Sequence, residues 1–146
     1  MSRLTLLFFC FLLTVLPCSA FADQRTDPRE QALSDTLDLW REGKFEQLYD
    51  TLSHRSSTSR ERFVDQLRGT SVRPACCHQK LNDFRLISEK RTTAKVFARI
   101  GIEGLAGSAA HQSREFTLDH EEGRWKVRLS DLKALSGEAG GKKKKK

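Results

Sequence analysis

The sequence predicts an α+β domain in which three N-terminal helices pack on a curved, mainly antiparallel, four-stranded sheet. Three observations predict it. Between Pro28 and Gly69 apolar residues recur at three- and four-residue spacing, the period of one helix face. Beyond Pro74 they recur at every second residue, the period of a strand with one buried face. Such alternation belongs to antiparallel strands, because buried parallel strands read as continuous apolar runs. Helices first and strands afterwards place the helices on one side of a meander.

Each element carries its own signals. Asp27, Pro28 and Glu30 supply an N-cap, a proline at the first helical position and an acid in the first turn. Leu33, Leu37 and Trp40 then share a stripe until Gly43 stops the segment. Phe45, Leu48, Tyr49 and Leu52 follow at i, i+3, i+4 and i+7, one face of a second helix. Thr58 and Glu61 form a capping-box pair ahead of Phe63, Val64 and Leu67, and Gly69 closes the third helix. In the strand half, Phe84, Leu86 and Ser88 alternate with Arg85, Ile87 and Glu89. Val96, Ala98, Ile100 and Ile102 form the apolar side of a long strand, with Gly101, Gly104 and Gly107 around the turn that follows. Phe116, Leu118 and His120 alternate with Glu115, Thr117 and Asp119. Glu122-Gly123 makes a tight hairpin into Trp125, Val127 and Leu129. This alternation sends Asp83, Glu103, Glu115 and Asp119 to the solvated face.

Composition bounds the function classes. The chain has 146 residues, enough for one domain with tails. Arg3, the apolar run Leu4–Leu16 and the small residues Ser19-Ala20-Phe21-Ala22 have the form of a secretory signal peptide. As a helix that run rises only about 20 Å, short of the roughly 30 Å hydrocarbon core of a bilayer. Val15-Leu16-Pro17-Cys18 loosely resembles a lipobox, but Pro17 stands where that motif has a small flexible residue. The expected organisation is a signal peptide over 1–22, one domain over 23–135 and a flexible Gly/Lys tail over 136–146, with the mature chain periplasmic or secreted. Of 26 Lys and Arg residues, Arg3 and the five terminal lysines lie outside Asp23–Gly141, leaving 20 basic against 19 acidic side chains, a net charge of +1. That balance argues against a nucleic-acid-binding surface, which needs basic residues spread over a face. Lys142, Lys143, Lys144, Lys145 and Lys146 read as a solvated tail or as a source of weak attraction to an anionic membrane surface.

Trp40-Arg41-Glu42-Gly43-Lys44-Phe45-Glu46-Gln47-Leu48-Tyr49-Asp50-Thr51-Leu52-Ser53 resembles the helix–Gly–helix opening of the nuclear-transport-factor-like, cystatin-like α+β cone superfamily. Thr58–Gly69 is similar to its third helix, and the strands ending in Gly123-Arg124-Trp125-Lys126-Val127 to its curved sheet and last hairpin. The resemblance covers Pro28–Leu132. It implies a cone with an apolar pocket between helices and concave sheet. The superfamily holds isomerases, dehydratases, small-ligand binders and transport factors, and fold alone does not select among them.

The leading expectation is a non-catalytic domain that binds a small apolar ligand or a peptide, or pairs with a second copy through the sheet. Its pocket would be lined by Trp40, Phe45, Tyr49, Phe63, Val96, Phe116 and Trp125, and the bland counter-reading is that these same side chains fill it. The alternative is a ketosteroid-isomerase-like isomerase or dehydratase, which needs a carboxylate base in the cone and a Tyr or protonated acid on the enolate oxygen. Tyr49 is the only Tyr, and His120 is the one titratable group assigned to the apolar sheet face, so no catalytic residue is assigned. The glycines at 101, 104 and 107 lack the spacing of a dinucleotide fingerprint and no P-loop follows, so no cofactor is expected. Cleavage of the leader leaves Cys76 and Cys77, and three readings stay open. They are a bridge, which a trans peptide strains by holding the Cα atoms about 3.8 Å apart, a redox or metal role shared with His78, or ordinary thiols.

Overall fold

The computed structural model describes residues 26–103 and 110–137. The leader through Ala22, the glycines 104 and 107 and the terminal lysines lie outside the described residues. Helix α1 (Pro28–Arg41) starts where Asp27 Oδ1 accepts the Arg29 N–H at 2.8 Å, and it buries Leu33, Thr36, Leu37 and Trp40. Gly43, at φ +72°, turns the chain into α2 (Phe45–Thr51), whose Leu48 is buried together with Leu52 just beyond it. A 3-10 turn over Arg55–Ser57 leads to α3 (Arg60–Arg68), which buries Phe63, Val64 and Leu67. The cap of α3 is Ser59, whose Oγ accepts the Arg62 N–H at 3.3 Å, and not the expected Thr58. Thr58 is extended, at φ −148°, and its carbonyl accepts from the Tyr49 hydroxyl instead.

The strands are β1 (Arg73–Pro74), β2 (Leu81–Lys90), β3 (Thr93–Glu103), β4 (Ala110–Glu121) and β5 (Arg124–Val127). All pairings among them are antiparallel. β3 is central, with β4 and then β5 on one side and with β2 and the two residues of β1 along the other edge. The β4–β5 hairpin turns through Glu122 and Gly123, both at positive φ (+53° and +76°), as a two-residue turn matched to the strand twist requires.

Four further features depart from the sequence expectation. Among the described residues the sheet has five strands, because the short β1 shares the edge of β3 with β2. Among the described residues there are four α-helices rather than three, since β5 stops at Val127 and Leu129 opens helix α4 (Leu129–Leu135). Leu129, Leu132 and Leu135 stand three apart and are all buried, while Asp131 Oδ2 takes the Thr117 N–H at 2.6 Å where the ladder ends. Gly101 is inside β3, opposite His111, and not in the following turn. Leu86 is 42% exposed, because register shifts on either side of Arg85-Leu86 break the alternation of β2 and carry Leu86 and Ile87 out to the edge.

The core gathers Leu33, Leu37, Leu48, Leu52 and Phe63 from the helical half with Val96, Ala98, Ile100, Phe116, Leu118 and Val127 from one face of the sheet. α4 adds Leu129, Leu132 and Leu135 to the same cluster. On the other face of β3, Lys95 and Arg99 are exposed and Phe97 lies under the Arg85 guanidinium, 4.4 Å from its ring centre. The architecture is therefore α+β, with helices packed on one face of an antiparallel sheet.

Candidate functional site

Trp125 sits on β5 opposite His120, on the sheet face that meets α1. The chain turns back within two residues, so the indole is carried near the hairpin end and stays half-buried. The His120 ring packs edge-on at 5.0 Å, and the Arg29 guanidinium lies 5.8 Å from the indole centre. A cleft of about 430 Å³ opens beside the ring between Asp35, Thr36 and Leu39 of α1, the Asp50-Thr51 end of α2, and the hairpin residues Glu122, Arg124 and Lys126. A second depression of about 300 Å³ shares Ala32, Asp35, Arg124 and Trp125 and continues past Pro28, Gln31 and Gly123. Together they form an elongated groove with the indole in its wall.

Most of the charges along it are already engaged. Glu122 accepts from the Lys126 ammonium at 2.9 Å, and this bond holds its carboxyl below the usual carboxylate range. Asp50 pairs with Arg55 and Arg60, while Asp35 accepts from Gln31 at 2.6 Å. Arg124 makes no ion pair among the described residues. The groove thus offers an aromatic wall, the Arg124 guanidinium and the remaining acceptor capacity of Asp35.

The seven side chains expected to line a pocket do not share one cavity. Trp40, Phe63, Val96 and Phe116 are buried within the core cluster, so they occupy the space between helices and sheet themselves. Trp40 and Phe45 border a separate depression at the end of α1, and Trp125 alone faces the larger groove. Tyr49 is half-buried against Phe63, with ring centres 5.5 Å apart. Its hydroxyl donates to the Thr58 carbonyl at 2.7 Å, the Arg55 carbonyl lies at 3.3 Å, and the Arg55 and Arg60 guanidinia flank the ring. The phenolic proton is committed to the backbone.

Asp119, expected on the solvated face, is only 6% exposed. Register is not the cause, since Asp119 still pairs with Thr93 and Lys126. The outer face is covered at that point by Ser53 and Arg128, which form a parallel bridge along the β5 edge. Both carboxylate oxygens accept from the Arg128 guanidinium at 2.8 Å, Ser53 Oγ donates at 2.8 Å, and His54 Nε2 lies at 3.4 Å. The Arg128 bonds hold Asp119 below the ordinary aspartate range against the opposing effect of burial. Ser, His and Asp meet here, but the Ser hydroxyl is bonded to the acid directly and not through the imidazole. Among the described residues no base is placed to activate it, and the cluster fastens Ser53 and Arg128 to β4.

Cys76 and Cys77 are joined by a disulfide, with Cα atoms 3.7 Å apart, and His78 beside them is exposed. Among the described residues no group of three or more His, Cys, Asp or Glu side chains is placed to hold a metal ion. Two polar atoms that the sequence did not single out, Gln66 Oε1 and Arg114 Nη1, are buried without a hydrogen-bond partner among the described residues. Arg114 stands opposite Ala98, so the apolar sheet face carries an arginine as well as His120. Of the groove residues, Asp35 and Arg124 had no sequence signal beyond lying off the apolar stripes. No protein-family model matches the chain, and no curated protein matches it in sequence.

Proposed function

We propose that the mature chain is an exported, non-catalytic binding domain of the nuclear-transport-factor-like, cystatin-like cone type, and that it holds an extended peptide segment in the groove beside Trp125. The observation that carries the reading is the half-buried indole shared by two adjoining depressions. An elongated groove suits a chain better than a compact small molecule, and buried aromatic anchors with a polar rim are how peptide sites gain affinity. Arg124 meets a carboxylate of the peptide, the indole takes an apolar side chain, and Asp35 accepts from a backbone N–H. Helices on one face of a curled antiparallel sheet support the cone assignment.

Panning a phage-displayed peptide library on the folded protein tests this, with Trp125→Ala and Arg124→Ala variants as counter-targets. The expected result is a family of peptides that bind the parent and lose about tenfold or more on Trp125→Ala, the scale of a lost aromatic anchor. Peptides that bind both variants as well as the parent, or no enrichment at all, overturn the reading.

A further inference from the structure

Six residues, Ala75–Lys80, leave the sheet edge opposite a single residue of β3. Pro74 pairs with Ile102 and Leu81 with Ile100, so the whole excursion faces Gly101 alone. Its two feet close on that glycine. The Ala75 N–H donates to the Gly101 carbonyl at 2.8 Å, and the Gly101 N–H donates to the Lys80 carbonyl at 3.2 Å. A Cβ at position 101 would stand 2.2 Å from the Gln79 carbonyl oxygen, so only glycine admits the loop.

The loop is also tied to α1 and β3 from outside. Arg41 donates to the Pro74 carbonyl at 3.1 Å and to Glu103 Oε2 at 2.7 Å, and Glu103 Oε1 accepts the Cys76 N–H at 3.2 Å. The Arg73 guanidinium holds the Arg41 carbonyl, and the Lys80 ammonium pairs with Asp38. The path of the loop is therefore set without the bridge between Cys76 and Cys77. A bridge between neighbours closes no intervening chain and constrains the unfolded state hardly at all. Neither cysteine belongs to the core. Cys77 is exposed and sits at φ +60°, a left-handed conformation that costs a residue with a Cβ.

We propose that Cys76 and Cys77 form a surface thiol–disulfide couple, which exchanges two electrons with a dithiol partner while the fold stays intact. A thiolate of the partner attacks Cys77 Sγ, the exposed member, and the Cys76–Cys77 bond breaks as the mixed disulfide to Cys77 forms. Cys76 leaves as a thiolate and takes a proton. The second thiol of the partner then attacks the partner sulfur of the mixed disulfide, and Cys77 departs and takes the second proton. The partner ends as a disulfide, oxidised by two electrons, and the pair ends as two thiols.

The test takes the exported chain beginning at Asp23, which has lost Cys10 and Cys18, equilibrates it in mixtures of reduced and oxidised dithiothreitol, quenches with acid, alkylates and weighs it. The expected result is one transition between no label and two labels with a two-electron slope and an unchanged circular dichroism spectrum. The reduced protein then captures one phenylarsine oxide per chain. Cys76→Ser, which retains Cys77, reacts with oxidised glutathione about tenfold faster than Cys77→Ser, since accessibility governs exchange. Labels that appear only after denaturation, loss of fold on reduction, or two free thiols in protein kept under oxidising conditions each overturn the proposal.

Discussion

Asp119 illustrates how one side chain can follow the strand period and still be buried. Its odd place in the alternation of β4 is legible in the sequence, but the Ser53–Arg128 cover over it depends on a contact across 66 residues, which no local pattern carries. Replacing Asp119 with Ala leaves the Arg128 guanidinium and the Ser53 hydroxyl without their acceptor, and is expected to cost about 2–4 kcal/mol in urea titrations. Because Arg128 depresses the carboxyl in the folded state, the unfolded chain takes up this proton at higher pH than the folded one. The stabilisation is thus complete above the ordinary aspartate value of about 3.9 and is lost as pH falls through the lower folded value. Asp27 is depressed by its bonds from Arg29 and adds to the acid limb, whereas the depressed Glu103 and Glu122 are exposed and solvent screening leaves them little share. Subtracting the curve of Asp119→Asn, which cannot titrate there, isolates the share of Asp119. An unchanged acid limb in that variant would show that the fastener contributes nothing.

Among the elements, the β4–β5 hairpin was readable because Glu122-Gly123 interrupts two clear alternations. Helix α4 was not. Leu129 satisfies both periods, two residues beyond Val127 and three before Leu132, and seven residues are too few for periodicity to decide between them. The deciding contacts are tertiary: Ser53 occupies the edge beside Arg128, and Asp131 takes the Thr117 N–H. Leu132 is fully buried, so Leu132→Ala is expected to cost about 2–5 kcal/mol, the range for truncating a core leucine. Ser130, exposed on the same helix, is expected to change stability by less than about 0.5 kcal/mol when replaced by Ala. Equal effects in a denaturant series would mean that α4 does not dock as described.

For the whole molecule, the division into a helical half and a strand half was legible from the change of period at Pro74. The open groove was not, because sequence cannot tell a concave space lined by aromatic residues from one filled by them. Trp40, Phe63 and Phe116 fill the interior, and the cleft beside Trp125 lies at the hairpin end, between α1, the α2 terminus and the indole. The proposed export concerns the complete chain as well. The 13-residue apolar run and Ala20-Phe21-Ala22 predict a mature terminus at Asp23. Intact-mass measurement of the exported form is expected to find it, whereas an uncleaved chain or a lipid-modified Cys18 would refute it.

The loop that rises opposite Gly101 has a bearing on solubility. The far side of β2 and β1 is the outer margin of the sheet, a row of backbone groups that a strand from another molecule can match. An unbroken ladder there would offer a long template, with Leu86 and Ile87 exposed along it. The excursion divides the margin into a two-residue piece and a ten-residue piece. Register shifts then kink the longer piece, and Arg85, Glu89 and Lys90 place charge beside the exposed pair. At the opposite margin, Ser53 bonds the Val127 carbonyl and the Leu129 N–H and occupies the positions that an incoming strand would need. The glycine that makes room for the cysteine loop thereby also shortens the template open to intermolecular strand pairing.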